Sequence, residues 1–252
     1  MMGKRTRIGM QRMVVAAIGL AHAAHAQVLI DDDFSTGRAG WYRSSASSVA
    51  VSGGWLQQTK TTAAGFPQLV RHFDSTTLKI GDRLELEFTM QLPSASVGMG
   101  WSHGLYNSGG QKIVADNWSA DNDTKFSAWV GYDVSHALNS ALRDQYIYQR
   151  VGGVNNLYGS GGRSELVKVQ RNNGISGNTP FTVKMKIEYK AANEMVITST
   201  VNGQTITVTH TAPVTTFDSF SSFPYVAKDG SFSLDIVKLE RIPPKGTVVA
   251  IR

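Results

Sequence analysis

The chain of 252 residues contains no cysteine. That absence excludes disulfide staples, thiolate nucleophiles and cysteine-ligated metals. A domain of more than 200 residues buries enough surface to do without staples. Long hydrophobic runs are missing too: MVVAAIGLA (13–21) is far short of the about 20 residues a membrane-spanning helix needs. Helical periodicity is almost absent. Only VSHALNSALRD (134–144) places Ala137, Leu138, Ala141 and Leu142 on one helical face, and it predicts one short helix.

What is present begins with a leader. Lys4, Arg5, Arg7 and Arg12 precede the apolar run without an acid among them, and Ala24-His25-Ala26 has the small-x-small form of a cleavage site. Residues 1–26 therefore read as a secretory signal peptide. The mature chain is expected to begin near Gln27, outside the cytoplasm, either extracellular or periplasmic, with no membrane insertion after cleavage. Cleavage removes four of the 25 Lys and Arg and none of the 19 Asp and Glu, so the net charge falls from +6 to +2. The remaining cations form no cluster, which argues against a nucleic-acid partner.

The body of the chain alternates with period two, the pattern of half-buried strands. In RLELEFTMQL (83–92) Leu84, Leu86, Phe88, Met90 and Leu92 share one face, and FTVKMKIEYK (181–190) repeats the arrangement. Asn202-Gly203 separates two β-branched runs and tolerates the positive φ angles of a two-residue hairpin. Gly53-Gly54 predicts a second hairpin. Further strands are expected at 27–34, 67–73, 98–106, 126–133, 145–151, 164–170, 217–227 and 231–241. No linker or repeat divides them, so residues 27–241 are expected to form one all-β domain of two packed antiparallel sheets, with 242–252 as a tail.

Three stretches carry a family likeness: VLIDDDFSTG followed by GWY, GLYNSGG followed by GYDV, and the closing GSFSLDIVKLE. They resemble secreted bacterial jelly-roll domains of the concanavalin A-like lectin and glucanase group. The resemblance implies a jelly-roll sandwich, and a function among carbohydrate-binding modules, laminin-G-like domains, glycoside hydrolases and polysaccharide lyases, which fold alone does not separate. Arg163-Ser164-Glu165-Leu166 is similar to a cleft strand of jelly-roll alginate lyases. In those enzymes the motif comes early and is followed by Gln-Ile/Val-His, which occurs nowhere here. Arg163 and Glu165 are accordingly expected to be solvent-facing strand residues.

A sugar site needs aromatic platforms and hydrogen-bonding groups. Residues 101–158 hold eight of the chain's five Trp and eight Tyr. The candidate binding residues are Trp101, His103, Tyr106, Trp118, Trp129, Tyr132, Tyr148 and Arg150, and the expected partner is a polysaccharide or other glycan. The competing reading of the same aromatics is core packing, with Trp129 or Tyr132 inside but not both. In GMGWSHGLYN, Trp101, His103 and Leu105 share one face and Tyr106 lies on the other. A polysaccharide lyase using a Tyr/His/Arg set in the same groove is the alternative function, ahead of a glycoside hydrolase, because no close carboxylate pair falls in the segment. A structural exoprotein without a glycan site is the third. Asp31 and Asp33 near the first strand and Asp235 on the last are candidate ligands for a structural Ca²⁺, since terminal strands of jelly rolls commonly pair.

Overall fold

The computed structural model describes residues 25–63, 65–92, 100–120, 122–137, 144–170, 178–225 and 230–244. In chain order the strands are β1 (Gln27–Asp32), β2 (Trp41–Arg43), β3 (Ser47–Ser52), β4 (Trp55–Lys60) and β5 (Leu69–Thr77). Next come β6 (Arg83–Gln91), β7 (Gly100–Asn107), β8 (Val130–Ala137), β9 (Asp144–Arg150) and β10 (Arg163–Gln170). The last five are β11 (Phe181–Ala191), β12 (Glu194–Val201), β13 (Gln204–His210), β14 (Thr216–Tyr225) and β15 (Ser231–Ile242). Two short 3₁₀ turns, Thr124–Ala128 and Ser160–Gly162, are the helical elements among the described residues.

Alternation in the sequence becomes alternation in burial. In β6 Leu84, Leu86, Phe88 and Met90 are buried while Arg83, Glu85, Glu87 and Thr89 face outward, and β11 follows the same rule. Both predicted hairpins form. Asn202 and Gly203 have φ of 47° and 78°, and Gly53 and Gly54 have 59° and 82°, as a two-residue turn between twisted strands requires.

The first sheet runs β13-β12-β11-β6-β15-β4-β3, with β1 beside β15, and the second runs β10-β9-β8-β7-β14-β5-β2. All the strand pairings are antiparallel, and the two sheets pack as a jelly-roll sandwich. Its interior joins Leu86, Phe88, Met185, Ile197 and Leu239 of the first sheet to Trp41, Leu105, Val134, Ile147 and Phe220 of the second.

The predicted helix is a correction. Val134–Ala137 belong to β8 and Asp144 opens β9, while 138–143 lie outside the described residues. Strand pairing of β8 with β7 overrides the weak helical pattern there. The strand expected from 126 starts only at Val130, because Thr124–Ala128 turn as a 3₁₀ helix capped by the Asp123 side chain on Lys125 N. Most of the leader (1–24) and the end of the tail (245–252) also lie outside the described residues.

A second apolar cluster lies on the outer side of the second sheet. There Val70, Tyr106, Ile113, Trp118, Phe126, Trp129 and Leu157 pack beneath the segments after β7 and β9. Those segments are tied down by polar groups. Ser108 donates from its backbone N and its Oγ to Asp218 at 2.8 and 2.7 Å. Asp116 accepts from Arg38 Nη2 at 2.7 Å and from Arg43 N at 3.0 Å. His72 Nε2 lies 2.8 Å from the Ile113 carbonyl, with Nδ1 2.8 Å from Ser219 Oγ. Burial holds His72 down at about 4, so it is neutral there.

Candidate functional site: the outer face of the second sheet

Of the eight binding residues expected from the sequence, seven are interior. Trp101, His103 and Tyr132 point between the sheets, whereas Tyr106, Trp118 and Trp129 belong to the outer cluster. Trp129 and Tyr132 are both fully buried, because the protein has two cores rather than one. Trp101 Nε1 donates to His103 Nδ1 at 3.0 Å, and the Trp101 ring stacks on His136 at 3.9 Å. Arg150 is fully buried and donates to the carbonyls of Phe126, Val154 and Asn156 at 2.9, 2.6 and 3.1 Å. It is a clamp on the covering segments. Tyr148 alone keeps a half-buried ring at the surface.

Tyr148 marks a trough that the register of β14, β7, β8 and β9 assembles. Phe223 pairs with Ser102, Ser102 with Ser135, and Ser135 with Tyr146. In the next row Ser221 meets Gly104, Gly104 meets Asp133, and Asp133 meets Tyr148. In the first of these rows the side chains over β7 and β8 are small while those over β14 and β9 are aromatic, whereas the second row holds the buried Ser221 and Asp133 on either side of Gly104. Three strand steps separate these aromatics, about 14 Å at the usual strand spacing.

One wall is Tyr146 stacked on Tyr148, with ring centroids 5.4 Å apart and planes 18° apart. The other is Tyr158 stacked on Phe223 at 5.0 Å and 18°, extended by Phe66 and by Tyr225, which is 53 % exposed. Between them Ser102 and Ser135 share a hydroxyl hydrogen bond. Gly104 is required here: a Cβ would sit 2.5 Å from the Tyr106 hydroxyl and 2.6 Å from the Tyr132 carbonyl.

Arg163 lies within this trough. Its guanidinium stacks 3.9 Å above the Tyr148 ring. Nε donates to Asp133 Oδ2 at 3.2 Å and Nη1 to the Tyr158 carbonyl at 3.0 Å, while Nη2 serves Asp133 Oδ1 and Ser135 Oγ. The expectation that Arg163 faces solvent is overturned: its side chain is 10 % exposed and pairs with a fully buried carboxylate. Glu165, two residues further along the strand, is exposed as expected. Burial pushes Asp133 up to about 6 despite the opposing pull of Arg163. At the far edge Lys168 pairs with Asp144 at 2.8 Å, and Asp144 accepts from the Tyr146 hydroxyl at 3.0 Å.

Sequence reasoning missed Asp133, Arg163, Ser102, Ser135, Phe223 and Tyr225 as site residues. One signal was available. Phe223 and Tyr225, like Tyr146 and Tyr148, stand two apart on a strand and so share a face.

The residues proposed for calcium do not fit one. β1 and β15 do pair, but Asp31 meets Lys238, and Asp235 meets Thr89 of β6. Asp33 accepts instead from Ser35 N and Oγ, at 2.9 and 2.7 Å. Asp32 is taken by Trp41 Nε1 and Arg71. No group of three metal-ligating side chains occurs among the described residues.

Two hollows lie elsewhere. One of about 240 Å³ on the first sheet's outer face is lined by Glu85, Glu87, Lys184, Lys186, Thr198 and Thr200. Another of about 250 Å³ lies along β1 and β5, from Gln27 to Leu29 and Arg71 to Asp74. The first offers no aromatic ring and the second no stacked pair.

No protein-family model and no curated protein sequence matches the chain. Solved structures do match its fold. The lumenal domain of VIP36, solved bound to Ca²⁺ and Man3GlcNAc, is 10% identical with a TM-score of 0.57, over 89% of this chain and 93% of that one. The potassium-bound carbohydrate recognition domain of Emp46p is 14% identical with a TM-score of 0.52, over 86% and 93%. An endo-1,3-β-glucanase from Streptomyces sioyaensis is 15% identical with a TM-score of 0.52, over 87% and 97%. The chain thus has the jelly-roll fold of the lectin and glucanase group, and at these identities the likeness speaks for the fold alone.

Proposed function

We propose that the protein is a secreted carbohydrate-binding domain that takes a polysaccharide in the trough on the outer face of its second sheet. The observation that carries this reading is the pair of stacked aromatic walls, Tyr146–Tyr148 and Tyr158–Phe223, flanking Ser102 and Ser135. Aromatic faces bind the apolar faces of sugar rings, and the floor hydroxyls supply hydrogen bonds. The names of fold neighbours, a mannose-oligosaccharide complex, a carbohydrate recognition domain and a glucanase, agree with it. The leader at 1–26 supports secretion.

Arg163 favours binding over β-elimination. A lyase needs an arginine free to neutralise a uronate carboxylate, and here four of its five N–H donors are already committed to Asp133, Ser135 and Tyr158. A glycan array on the purified mature chain, read beside an absorbance screen for unsaturated uronate products, tests the proposal. Binding without product is expected. Product release would replace binding with lyase activity, and silence in both assays would remove the glycan reading.

A further inference from the structure

Resting on that reading, the charge pattern of the trough points to its ligand class: we infer that the trough selects uncharged polysaccharide over uronate-bearing or sulfated chains, with Asp133 as the specificity-determining residue. The strands β8, β9 and β10 carry three carboxylates, Asp133, Asp144 and Glu165, and three cations, Arg150, Arg163 and Lys168. β7 carries no Asp, Glu, Lys or Arg, its His103 points between the sheets and is held neutral by burial, and Asp218 of β14 is occupied by Ser108 and Ser219. Each cation has a fixed occupation. Arg150 is sealed beneath the covering segments against three carbonyls. Lys168 is paired with Asp144, and Arg163 with Asp133.

Among the described residues the surface a ligand meets is therefore close to neutral, since Glu165 stands exposed beside Tyr148 and the half-exposed Lys168 lies over Tyr146. An anionic chain would have to compete with a buried carboxylate for Arg163 while passing Glu165. Arg163 is shielded from solvent, so its attraction to Asp133 is weakly screened and difficult to displace. A neutral sugar meets no such barrier. It finds Arg163 already held over the Tyr148 ring, which fixes the aromatic wall.

The groups facing Asp133 are Arg163 of β10, Arg150 and Tyr148 of β9, Tyr106 of β7, and Tyr158 of the segment between β9 and β10. Of these only Asp133 changes charge between pH 7.5 and 5, because both arginines stay protonated and burial raises all three tyrosines. Protonating Asp133 leaves Arg163 without its counter-charge.

Affinity gel electrophoresis of the mature chain tests the inference, with laminarin, mannan and hydroxyethylcellulose as neutral probes and alginate, polygalacturonate and hyaluronan as acidic ones. At pH 7.5 in physiological salt, retardation by at least one neutral probe and by no acidic probe is expected. Retardation by acidic probes as strong as by neutral ones overturns the inference while leaving glycan binding intact. No retardation by any probe overturns the glycan reading itself, and the inference with it. Asp133→Asn should raise affinity for an acidic probe at least tenfold. If that variant fails to fold, the same shift should be visible in the wild type between pH 7.5 and pH 5. Its absence there removes Asp133 as the determinant.

Discussion

The two sheets share one core and differ in what they turn outward. The first presents rows of polar side chains directly to water. Thr205, Thr200, Lys184, Glu87, Lys238 and Asp31 lie side by side across six strands. The second presents serine, glycine and aromatics, and part of its face is roofed by the segments after β7 and β9 over a second apolar cluster. Alternation alone makes the first kind of face. The second needs small residues on two neighbouring strands and long connections that fold back across the sheet.

The two faces each hold an ion pair, and these should respond very differently to mutation. Asp133–Arg163 is buried, with side chains 0 % and 10 % exposed, whereas Glu87–Lys184 has both near half exposure. Asp133→Ala is expected to lower stability by about 3–5 kcal/mol, because it strands a buried guanidinium. Glu87→Ala is expected to change it by less than about 1 kcal/mol. Urea denaturation of both variants checks the contrast, and equal effects would break it.

Acid should act through the second sheet. Burial holds His103 of β7 at about 3 and His72 of β5 at about 4, so both are neutral when folded, while unfolded histidines titrate near 6.5. Between pH 6.5 and 4 the unfolded chain binds more protons, and stability falls as pH falls. Asp133 opposes this. Its raised value means that the folded state holds a proton between about 6 and 3.8, and its contribution grows as pH drops through that window. Two histidines outweigh one carboxylate, so the urea midpoint at pH 4.5 should lie below that at pH 7. A flat or rising midpoint would contradict the burial of these histidines.

The smallest effect is expected on the first sheet's threonine ladder. Thr198 pairs with Thr207 and Thr200 with Thr205, through hydroxyl contacts of 3.2 and 2.8 Å. Thr198→Ala and Thr200→Ala should each cost a few tenths of a kcal/mol in the same assay, and should leave glycan binding unchanged. A loss of binding would move the site to the wrong face.

The first sheet was legible in the sequence almost residue by residue. Its strands alternate over nine or more residues, as in β6 and β11, and its tightest hairpin is written in Asn202-Gly203. Such features depend on neighbours two to four positions apart. The trough was not legible in this way. Arg163 looks solvent-facing on its own strand, and becomes buried only because Asp133, thirty residues earlier, stands two strands away and the segment through Tyr158 covers it. Trp118, Trp129 and Arg150 looked like ligand groups because aromatics and arginine mark sugar sites. They were recruited instead to a roof whose existence no periodicity announces. Parity did separate Trp101 and His103 from Tyr106 correctly, and the Trp101 face is the inner one.

The most direct test of the account is the affinity of the Tyr146→Ala/Tyr148→Ala double variant for whichever neutral polysaccharide retards the wild type. Both rings lie half-buried at the surface of the second sheet, so the fold should tolerate their loss. Removal of one stacked wall should weaken binding at least tenfold, corresponding to about 1.4 kcal/mol or more, with an unchanged circular dichroism spectrum. Undiminished affinity in a folded double variant would contradict the assignment of the trough as the binding site.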